Sequence, residues 1–290
     1  MNIIFFGSSD YVIPIIETLN KNFNLILVVT TEKPKINLAS QKETLRDYPV
    51  IEYCVENIIP YLSVQQLNNS IIQQLQKLKC PVAVLADFGL IIPPEIINLF
   101  PKGLISIHPS LLPKYRGSTP AQAAILNGEK ITGVSIMKLD EKIDHGPILT
   151  QVKEGILDAD TSKTLYKRLF KKSSNLLSKV INSYLEGNLK LLTQNHAKAT
   201  FTKSISRQDG FIDISSPELN IKDLKLKIRA YYPWPGIWFK IKLNEIIKTI
   251  KLLPEKIIQV EGKKPVSYKD FLNGYPKIKQ QLGKLLKQLA

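Results

Sequence analysis

The stretch from Gly103 to Gly117, GLISIHPSLLPKYRG, constrains the fold of this chain more than any other. Its apolar start, Leu104 to Ile107, predicts a short buried strand with His108 at its carboxyl end. Pro109 ends that strand, because proline has no backbone N–H and a fixed φ. The residues that follow are dense in proline and polar side chains, which is typical of a ligand-binding loop. The sequence therefore predicts a functional site around His108.

Apolar strands alternate with helical patterns along the first two-thirds of the chain. Strands are predicted at residues 2–6, 25–29, 81–85, 104–107, 133–139 and 147–152, and helices near 66–79, 119–126 and 161–185. This alternation is typical of the α/β class with a doubly wound, mostly parallel sheet, whose ligands bind at the carboxyl ends of the strands. The turn Gly7-Ser8-Ser9 lacks the three-glycine dinucleotide fingerprint and the chain has no Walker sequence, so the sheet carries no nucleotide signature.

The last third of the chain has a different pattern. Short strands are predicted at residues 211–214, 237–241, 246–252 and 256–260, with a helix at 221–229. Short strands in a small domain favour a partly open β-barrel that resembles the OB fold. We therefore expect a catalytic domain at residues 1–186, a linker at 187–206 and a smaller C-terminal domain at 207–290.

The net charge of +15 is unevenly distributed along the chain. Residues 1–200 carry 22 basic and 17 acidic side chains, whereas residues 201–290 carry 18 basic and 8 acidic ones. A basic domain is what binding to a polyanion such as RNA requires. Lysines scattered over a solvated face explain the same numbers, so charge alone leaves both interpretations open.

The composition of the chain bears on its cellular location. Hydrophobic residues make up 44% of the chain, and no run of about 18 apolar residues is present, so no membrane span is expected. The start, MNIIFFGSSD, does not resemble a secretory signal. Cys54 and Cys80 stand apart from any cluster with zinc-binding spacing. We expect a cytoplasmic monomer with no membrane partner.

Asp144 is the second candidate for the site. It lies in the loop DEKIDHG between two predicted strands. A carboxylate beside a histidine fixes the tautomer of the ring and prepares it for proton transfer, which would pair Asp144 with His108. An ordinary turn residue is the alternative, and spacing does not decide between them. We expect His145 to be an exposed turn residue and His196 to be solvated.

A long segment that starts at His108 resembles the core of the folate-dependent formyltransferases. It reads HPSLLPKYRGSTPAQAAILNGEKITGVSIMKLDEKIDHGPIL. The family pattern is a histidine followed by SLLP, an RG turn, a TG-V-IM strand and an Asp-x-Gly-Pro-Ile loop, and every part occurs here in order. FFGSSDYVIP and DFGLIIP, earlier in the chain, extend the resemblance. It implies the formyltransferase variant of the doubly wound fold.

The second half is similar to the C-terminal domain of those family members that formylate a charged tRNA. The similar segments are RQDGFIDI, IRAYYPWPG and EGKKPVSYKDFLNGY. The resemblance implies 10-formyltetrahydrofolate as the formyl donor and the α-amine of charged initiator methionyl-tRNA as the acceptor. It also implies that the small basic domain binds the tRNA and that no metal is needed.

The resemblance implies a role for each residue of the site. His108 is expected to hydrogen-bond the oxyanion that forms on the formyl group and to accept and donate protons. Asp144 is expected to orient His108 and a water. Two short segments line the folate site, the first in the loop after His108 and the second before the catalytic strand. They comprise Ser110, Leu111, Leu112 and Pro113, and Phe88, Gly89, Leu90 and Ile91.

Two departures from the family pattern affect these expectations. The family has an asparagine two residues before the histidine, where its amide holds the formyl oxygen, and this chain has Ser106. Loss of one oxyanion donor costs roughly 100- to 1,000-fold in rate. The loop after the second strand lacks the family's Gly-Arg-rich stretch, so we expect tRNA contacts from Lys33, Lys35 and Lys42 instead.

Two other functions remain open from the sequence. The first is formylation of a small amine, such as that of an amino sugar or of glycinamide ribonucleotide. The basic C-terminal domain argues against the ribonucleotide but not against a sugar, since sugar formyltransferases often carry a C-terminal domain. The second is a catalytically impaired tRNA-binding protein, which the serine at position 106 suggests.

Overall fold

The computed structural model describes residues 1–31, 48–243 and 246–289. The chain divides into two compact units. The first comprises Met1–Ser118, Thr132–Glu154 and Tyr166–Phe201, and the second comprises Thr119–Ile131, Gly155–Leu165 and Thr202–Ala290. No helix among the described residues is both long and apolar enough to cross a membrane.

A seven-stranded sheet organises the first unit, in the order β3-β2-β1-β4-β5-β6-β7. The strands are β1 (Asn2–Phe6), β2 (Asn24–Thr31), β3 (Tyr61–Val64), β4 (Val82–Leu85), β5 (Leu104–His108), β6 (Ile131–Lys138) and β7 (Ile148–Gly155). Strands β1 to β5 pair in parallel, and β6 pairs antiparallel to β5. This confirms the α/β class with a mostly parallel sheet. The sequence missed β3, a four-residue strand at the sheet edge.

Among the described residues, six α-helices follow or connect these strands. They are α1 (Ile13–Asn22), α2 (Pro49–Glu56), α3 (Asn69–Lys77), α4 (Pro94–Ile97), α5 (Pro120–Leu126) and α6 (Ser162–Leu185). Proline in the first turn begins four of them, at a position where its missing N–H costs nothing. Asn68 begins α3 instead, by accepting a hydrogen bond from the N–H of Ile71.

The core of the first unit lies against its parallel strands. The residues of β1 from Ile3 to Phe6 are completely buried. The ring of Phe6 meets those of Phe88 and Phe100 edge-on, with centroids 5.5 Å and 6.3 Å away. Burial of such side chains contributes about 1.5–3 kcal/mol each, so the sheet is a rigid base for the loops at its carboxyl edge.

The second unit contains a four-stranded antiparallel sheet in the order β11-β10-β9-β8. Its elements are α7 (Ile221–Ala230), β8 (Ile237–Leu243), β9 (Ile246–Leu253), β10 (Ile257–Val260), β11 (Val266–Ser267), α8 (Tyr268–Gly274) and α9 (Lys279–Leu289). The expectation of a strand at residues 211–214 is wrong, because only Phe211 forms a bridge there, to Trp238 of β8. The sequence did not predict β11, α8 and α9.

Candidate active site

His108 is the last residue of β5, as the sequence predicts, and is 5% exposed. Its Nε2 lies 2.8 Å from the carbonyl oxygen of Tyr115. A carbonyl can only accept, so Nε2 carries a proton and donates it. The loop that starts at Pro109 therefore folds back to hold the imidazole of the residue before it. The other ring nitrogen, Nδ1, stays available for chemistry.

Asp144 faces that second nitrogen. Its Oδ2 lies 3.5 Å from Nδ1 of His108 and accepts a hydrogen bond of 2.7 Å from the N–H of Gly117. Asp144 has a positive φ of 45°, which aspartate tolerates better than most residues. Gly146 makes the turn possible, because a Cβ there would lie 1.9 Å from the carbonyl oxygen of Lys138. The structure thus brings together the two residues that the sequence paired.

The pair can take up and release a proton. With Nε2 bound to Tyr115, a neutral ring presents a lone pair at Nδ1 and can act as a base. A protonated ring presents an N–H at Nδ1, which Asp144 stabilises from 3.5 Å and which can donate to an oxyanion. None of the described residues hydrogen-bonds the second oxygen of Asp144, Oδ1, so that oxygen can accept a proton from a water or an amine.

Ser106 lies two residues before His108 on the same strand, so both side chains leave the same face of the sheet. The side chain is nearly buried, yet none of the described residues hydrogen-bonds its hydroxyl. A free hydroxyl about 7 Å along the strand from the imidazole can donate one hydrogen bond to a bound group.

The loop segment Ser110–Pro113, which is expected to line the folate site, is held by hydrogen bonds to residues of β6 and β7. The Oγ of Ser135 donates to the carbonyl of Ser110 at 2.6 Å and accepts from the N–H of Leu112 at 3.0 Å. Gln151 donates to the carbonyl of Leu112 at 2.8 Å. Ser110 and Leu112 are buried, whereas Leu111 and Pro113 are partly exposed. Sequence reasoning missed the supporting residues Ser135 and Gln151, which lie on β6 and β7.

The other segment expected at the folate site, from Phe88 to Ile91, follows β4 at the same sheet edge as His108. Its four residues differ in exposure. Phe88 belongs to the core, Leu90 is partly buried against it, and Gly89 and Ile91 are exposed. Partly exposed apolar side chains, namely Leu85, Leu90, Ile97 and Leu139, continue that core toward the surface. These four side chains are called the apolar wall below, and apolar side chains are the usual lining of a small-molecule site.

A cavity of about 590 Å³ lies beside the loop that carries Asp144, toward the start of β5. It shares the apolar side chains Ile97 and Leu139 with the apolar wall, and Asp140, Glu141 and His145 supply polar groups. None of the eight residues expected to bind folate lines it. The cavity is large enough to take part of a small ligand.

His145 and His196 contact each other and polar neighbours. Their rings stack with centroids 3.9 Å apart and planes within 5° of parallel. Nδ1 of His145 lies 2.6 Å from a carboxylate oxygen of Asp140, and Nδ1 of His196 lies 2.8 Å from Nη2 of Arg116. The expectation of a solvated His196 is confirmed, since that residue is exposed, whereas His145 is partly buried rather than exposed. The sequence did not reveal their contacts, because the partners lie up to 80 positions away.

Desolvation and neighbouring positive charge lower the pKa of His196, although its ring is exposed. Desolvation is the largest cause, followed by His145 and Arg116. The neutral ring accepts the hydrogen bond from Arg116, so protonation of Nδ1 would both break that bond and place two cations in contact. Arg116 itself is buried, and its Nε has no hydrogen-bond partner among the described residues.

The lysines expected to contact tRNA are not located by the structure. Lys33, Lys35 and Lys42 lie outside the described residues.

Comparison with known proteins agrees with this fold. The family model "Formyl transferase" matches residues 1–181. A methionyl-tRNA formyltransferase of Buchnera aphidicola is 35% identical over 89% of this chain and 80% of its own length. Another of the same name, from Treponema denticola, is 31% identical over 95% of this chain and 97% of its own.

A solved structure has the same fold at lower identity. It is the N-formyltransferase of Helicobacter canadensis in complex with folinic acid and dTDP-3-aminofucose. The TM-score is 0.61 at 22% identity, and the match covers 89% of this chain and 94% of that one. The mostly parallel sheet places the protein in the α/β class, and the family match identifies it as a transferase. Within that class, the chain belongs to the formyl transferase family.

Proposed function

We propose that the protein transfers a formyl group from 10-formyltetrahydrofolate to the α-amine of methionyl initiator tRNA, in translation initiation. The observation that carries this proposal is the extent of the match to relatives named for that activity. Those relatives align with 89% and 95% of the chain, so the alignments include much of the basic second unit as well as the sheet. The free Ser106 hydroxyl and the His108–Asp144 pair supply the groups that formyl transfer needs.

In this mechanism the pair of residues moves the protons. The methionyl amine attacks the formyl carbon, an N–C bond forms, and the formyl oxygen gains negative charge. The protonated Nδ1 of His108 and the hydroxyl of Ser106 donate hydrogen bonds to that oxygen. Asp144 accepts the proton lost by the amine, directly or through a water. As the bond from carbon to N10 breaks, N10 takes a proton, and the products are formylmethionyl-tRNA and tetrahydrofolate.

The donor is proposed to bind between the segment Phe88–Ile91 and the loop of Asp144. The flat, largely apolar pteridine requires an apolar surface with a few polar groups at its edge. Leu90, Ile97 and Leu139 offer such a surface, and the carboxylates of Asp140 and Asp144 lie on the neighbouring loop. The segment Ser110–Pro113 is proposed to line the same site from the other side. Folinic acid in the Helicobacter relative is a formylated folate, which supports a folate donor here.

The acceptor tRNA is proposed to bind the second unit. Residues 201–290 carry 18 basic and 8 acidic side chains. On the β8–β9 pair, Lys240 and Lys242 lie on one face of β8, and Trp238 on that face pairs with Lys251 of β9. All three lysines are exposed, which suits contact with phosphates. We retain Lys33, Lys35 and Lys42 as proposed contacts to the acceptor end.

The proposed function also implies a domain organisation, an oligomeric state and a location for the protein. We propose a catalytic domain at residues 1–186, a linker at 187–206 and a tRNA-binding domain at 207–290. The bridge between Phe211 and Trp238 adds chain beside β8, and it supports a partly open OB-like barrel in the last domain. We further propose that the enzyme works as a monomer in the cytoplasm.

An acceptor assay tests the proposed function. The purified protein is incubated with 10-formyltetrahydrofolate labelled in the formyl group, and with either methionyl initiator tRNA or dTDP-3-aminofucose. We expect label to enter the methionyl-tRNA and not the amino sugar. Uncharged tRNA is the matched control, because it binds through the same phosphates and has no α-amine.

A second candidate is N-formylation of an amino sugar. The similarity to the Helicobacter structure, with dTDP-3-aminofucose in its complex, favours it. Label in the sugar alone would replace the tRNA proposal by this one. Steep salt-dependent tRNA binding without any transfer would indicate an impaired homologue that only binds tRNA.

A further inference from the structure

We propose that Gln194 is a positioning residue, which holds the loop of Asp144 and the loop that grips His108 in one fixed arrangement. The inference rests on the proposed function for its kinetic test. It concerns a residue in the segment expected to be a linker, outside every motif of the site.

Gln194 connects the two loops through a single amide. The side chain is 5% exposed. Its Nε2 donates to the carbonyl of Asp144 at 2.9 Å and to that of Gly146 at 2.7 Å. Its Oε1 accepts a hydrogen bond of 2.7 Å from Nη2 of Arg116. Two carbonyls and one guanidinium fix the orientation of the amide, since the carbonyls only accept and the guanidinium only donates.

The residues that Gln194 contacts adjoin the reactive pair. Arg116 lies between Tyr115, whose carbonyl accepts from His108, and Gly117, whose N–H donates to Asp144. Gln194 therefore closes a ring of hydrogen bonds that runs from the loop after β5 to the loop after β6. The ring restrains the separation of His108 and Asp144, which is 3.5 Å.

The backbone around Gln194 is held by other contacts. Leu192 and Ile148 exchange two backbone hydrogen bonds of 2.8 Å and 2.9 Å. The carbonyl of Thr200 accepts from the N–H of Arg116 at 2.8 Å. A substitution at Gln194 therefore removes the amide contacts and leaves the path of the chain in place. Asp144, at a positive φ, then loses a restraint on an intrinsically unfavourable conformation.

Substitution tests the role of the amide. Gln194→Met keeps the volume and removes the hydrogen bonds, and Gln194→Asn keeps an amide that is one methylene too short to reach all three partners. We expect kcat to fall roughly 10- to 100-fold, because a displacement near 1 Å at the reacting groups costs up to about 100-fold. KM for methionyl-tRNA stays within about twofold. Asn195→Ala is the matched control, since that neighbour is exposed, and it leaves kcat unchanged.

A double-mutant cycle separates positioning from general stability. In an Asp144→Asn background, we expect Gln194→Met to lower kcat by less than about twofold, since there is no longer a carboxylate to position. An equal loss in both backgrounds, or an unchanged kcat in the single variant, overturns the proposal. Gln194→Asn supplies the same comparison if Gln194→Met does not fold.

Histidine-labelled NMR provides a readout that needs no acceptor. We expect the ring ¹⁵N resonances of His108 to shift in Gln194→Met and to stay in place in Asn195→Ala. Unmoved resonances in Gln194→Met contradict the proposal even if the wild-type protein transfers no formyl group to tRNA. A shift in a protein without that activity would reject the proposed acceptor and keep the positioning role.

Discussion

The surroundings of His108 and the basic face of the second unit differ in how their polar side chains are held. The imidazole, the carboxylate of Asp144 and the amide of Gln194 each have a defined hydrogen-bond partner and little exposure. Lys240 and Lys251 on the β8–β9 face are exposed to solvent instead. Proton transfer depends on the position of single atoms, whereas attraction of a polyanion depends on the number and distribution of charges.

Mutations in the two regions should therefore have opposite effects. Substitutions near His108 are expected to lower the rate of transfer and leave tRNA affinity intact. Substitutions on the β8–β9 face are expected to do the reverse. The departures of this sequence from the family pattern concern both proposed functions, since Ser106 is proposed to act in the reaction and Lys33, Lys35 and Lys42 to contact tRNA.

The largest effect is expected for His108→Ala. The change removes the residue proposed to carry the proton and to donate to the oxyanion, so kcat should fall about 1,000-fold or more. The dissociation constant for tRNA, measured by filter binding, should change less than twofold. A variant that retains more than a tenth of the wild-type kcat would remove His108 from the mechanism.

The next largest effect is expected in the affinity for tRNA. Replacing Lys240, Lys242 and Lys251 together by glutamine should weaken tRNA binding roughly 10- to 100-fold near 0.1 M salt, with kcat at saturating tRNA unchanged. The slope of log affinity against log salt should fall by roughly 2–3, as expected for three phosphate contacts. The matched control is the triple glutamine variant at Lys21, Lys77 and Lys79, exposed lysines of the first unit. Equal losses in both variants would mean that only net charge matters.

A smaller effect is expected at position 106. Ser106→Asn supplies the amide typical of the family and should raise kcat by up to about tenfold, the worth of one better hydrogen bond. Ser106→Ala should lower it. The formyl-transfer rate under saturating conditions measures both. A fall in Ser106→Asn would show that the site has been rebuilt around serine.

The smallest effect concerns pH and the stacked pair of histidines. The lowered pKa of His196 means that the unfolded chain binds this proton more readily than the folded protein. Its contribution to stability is therefore complete above pH about 6.5 and is lost as the pH falls below that value. Asp140, which opposes the shift, and Lys142 also face the ring. The Tm of the wild type should fall more steeply from pH 7 to pH 5 than that of His196→Gln, and parallel curves would contradict this.

The sequence predicted much of the fold and the centre of the site. Strand β5 and the pairing of His108 with Asp144 were accessible because apolar runs and prolines mark strand ends, and because the loops carry family motifs. The edge strand β3 was missed because four residues leave too short a pattern. The bridge at Phe211 was overestimated as a strand, since alternating apolar residues there pair at one position only.

The supporting residues of the site could not be predicted. Gln194 binds the carbonyl of a residue 50 positions away, and Ser135 binds backbone groups 23 and 25 positions away. Glutamine and serine are common polar residues, and nothing in their local sequence marks them. Their role follows from the tertiary path of the chain, which local patterns do not encode.

One measurement tests the division between reaction and binding most directly. The single-turnover rate of formyl transfer at saturating methionyl-tRNA and the tRNA dissociation constant are determined for Asp144→Asn and for the β8–β9 triple lysine variant. We predict that Asp144→Asn lowers the rate about 100-fold with unchanged affinity, and that the lysine variant weakens affinity with an unchanged rate. A normal rate in Asp144→Asn, or a reduced rate in the lysine variant at saturation, would contradict the account.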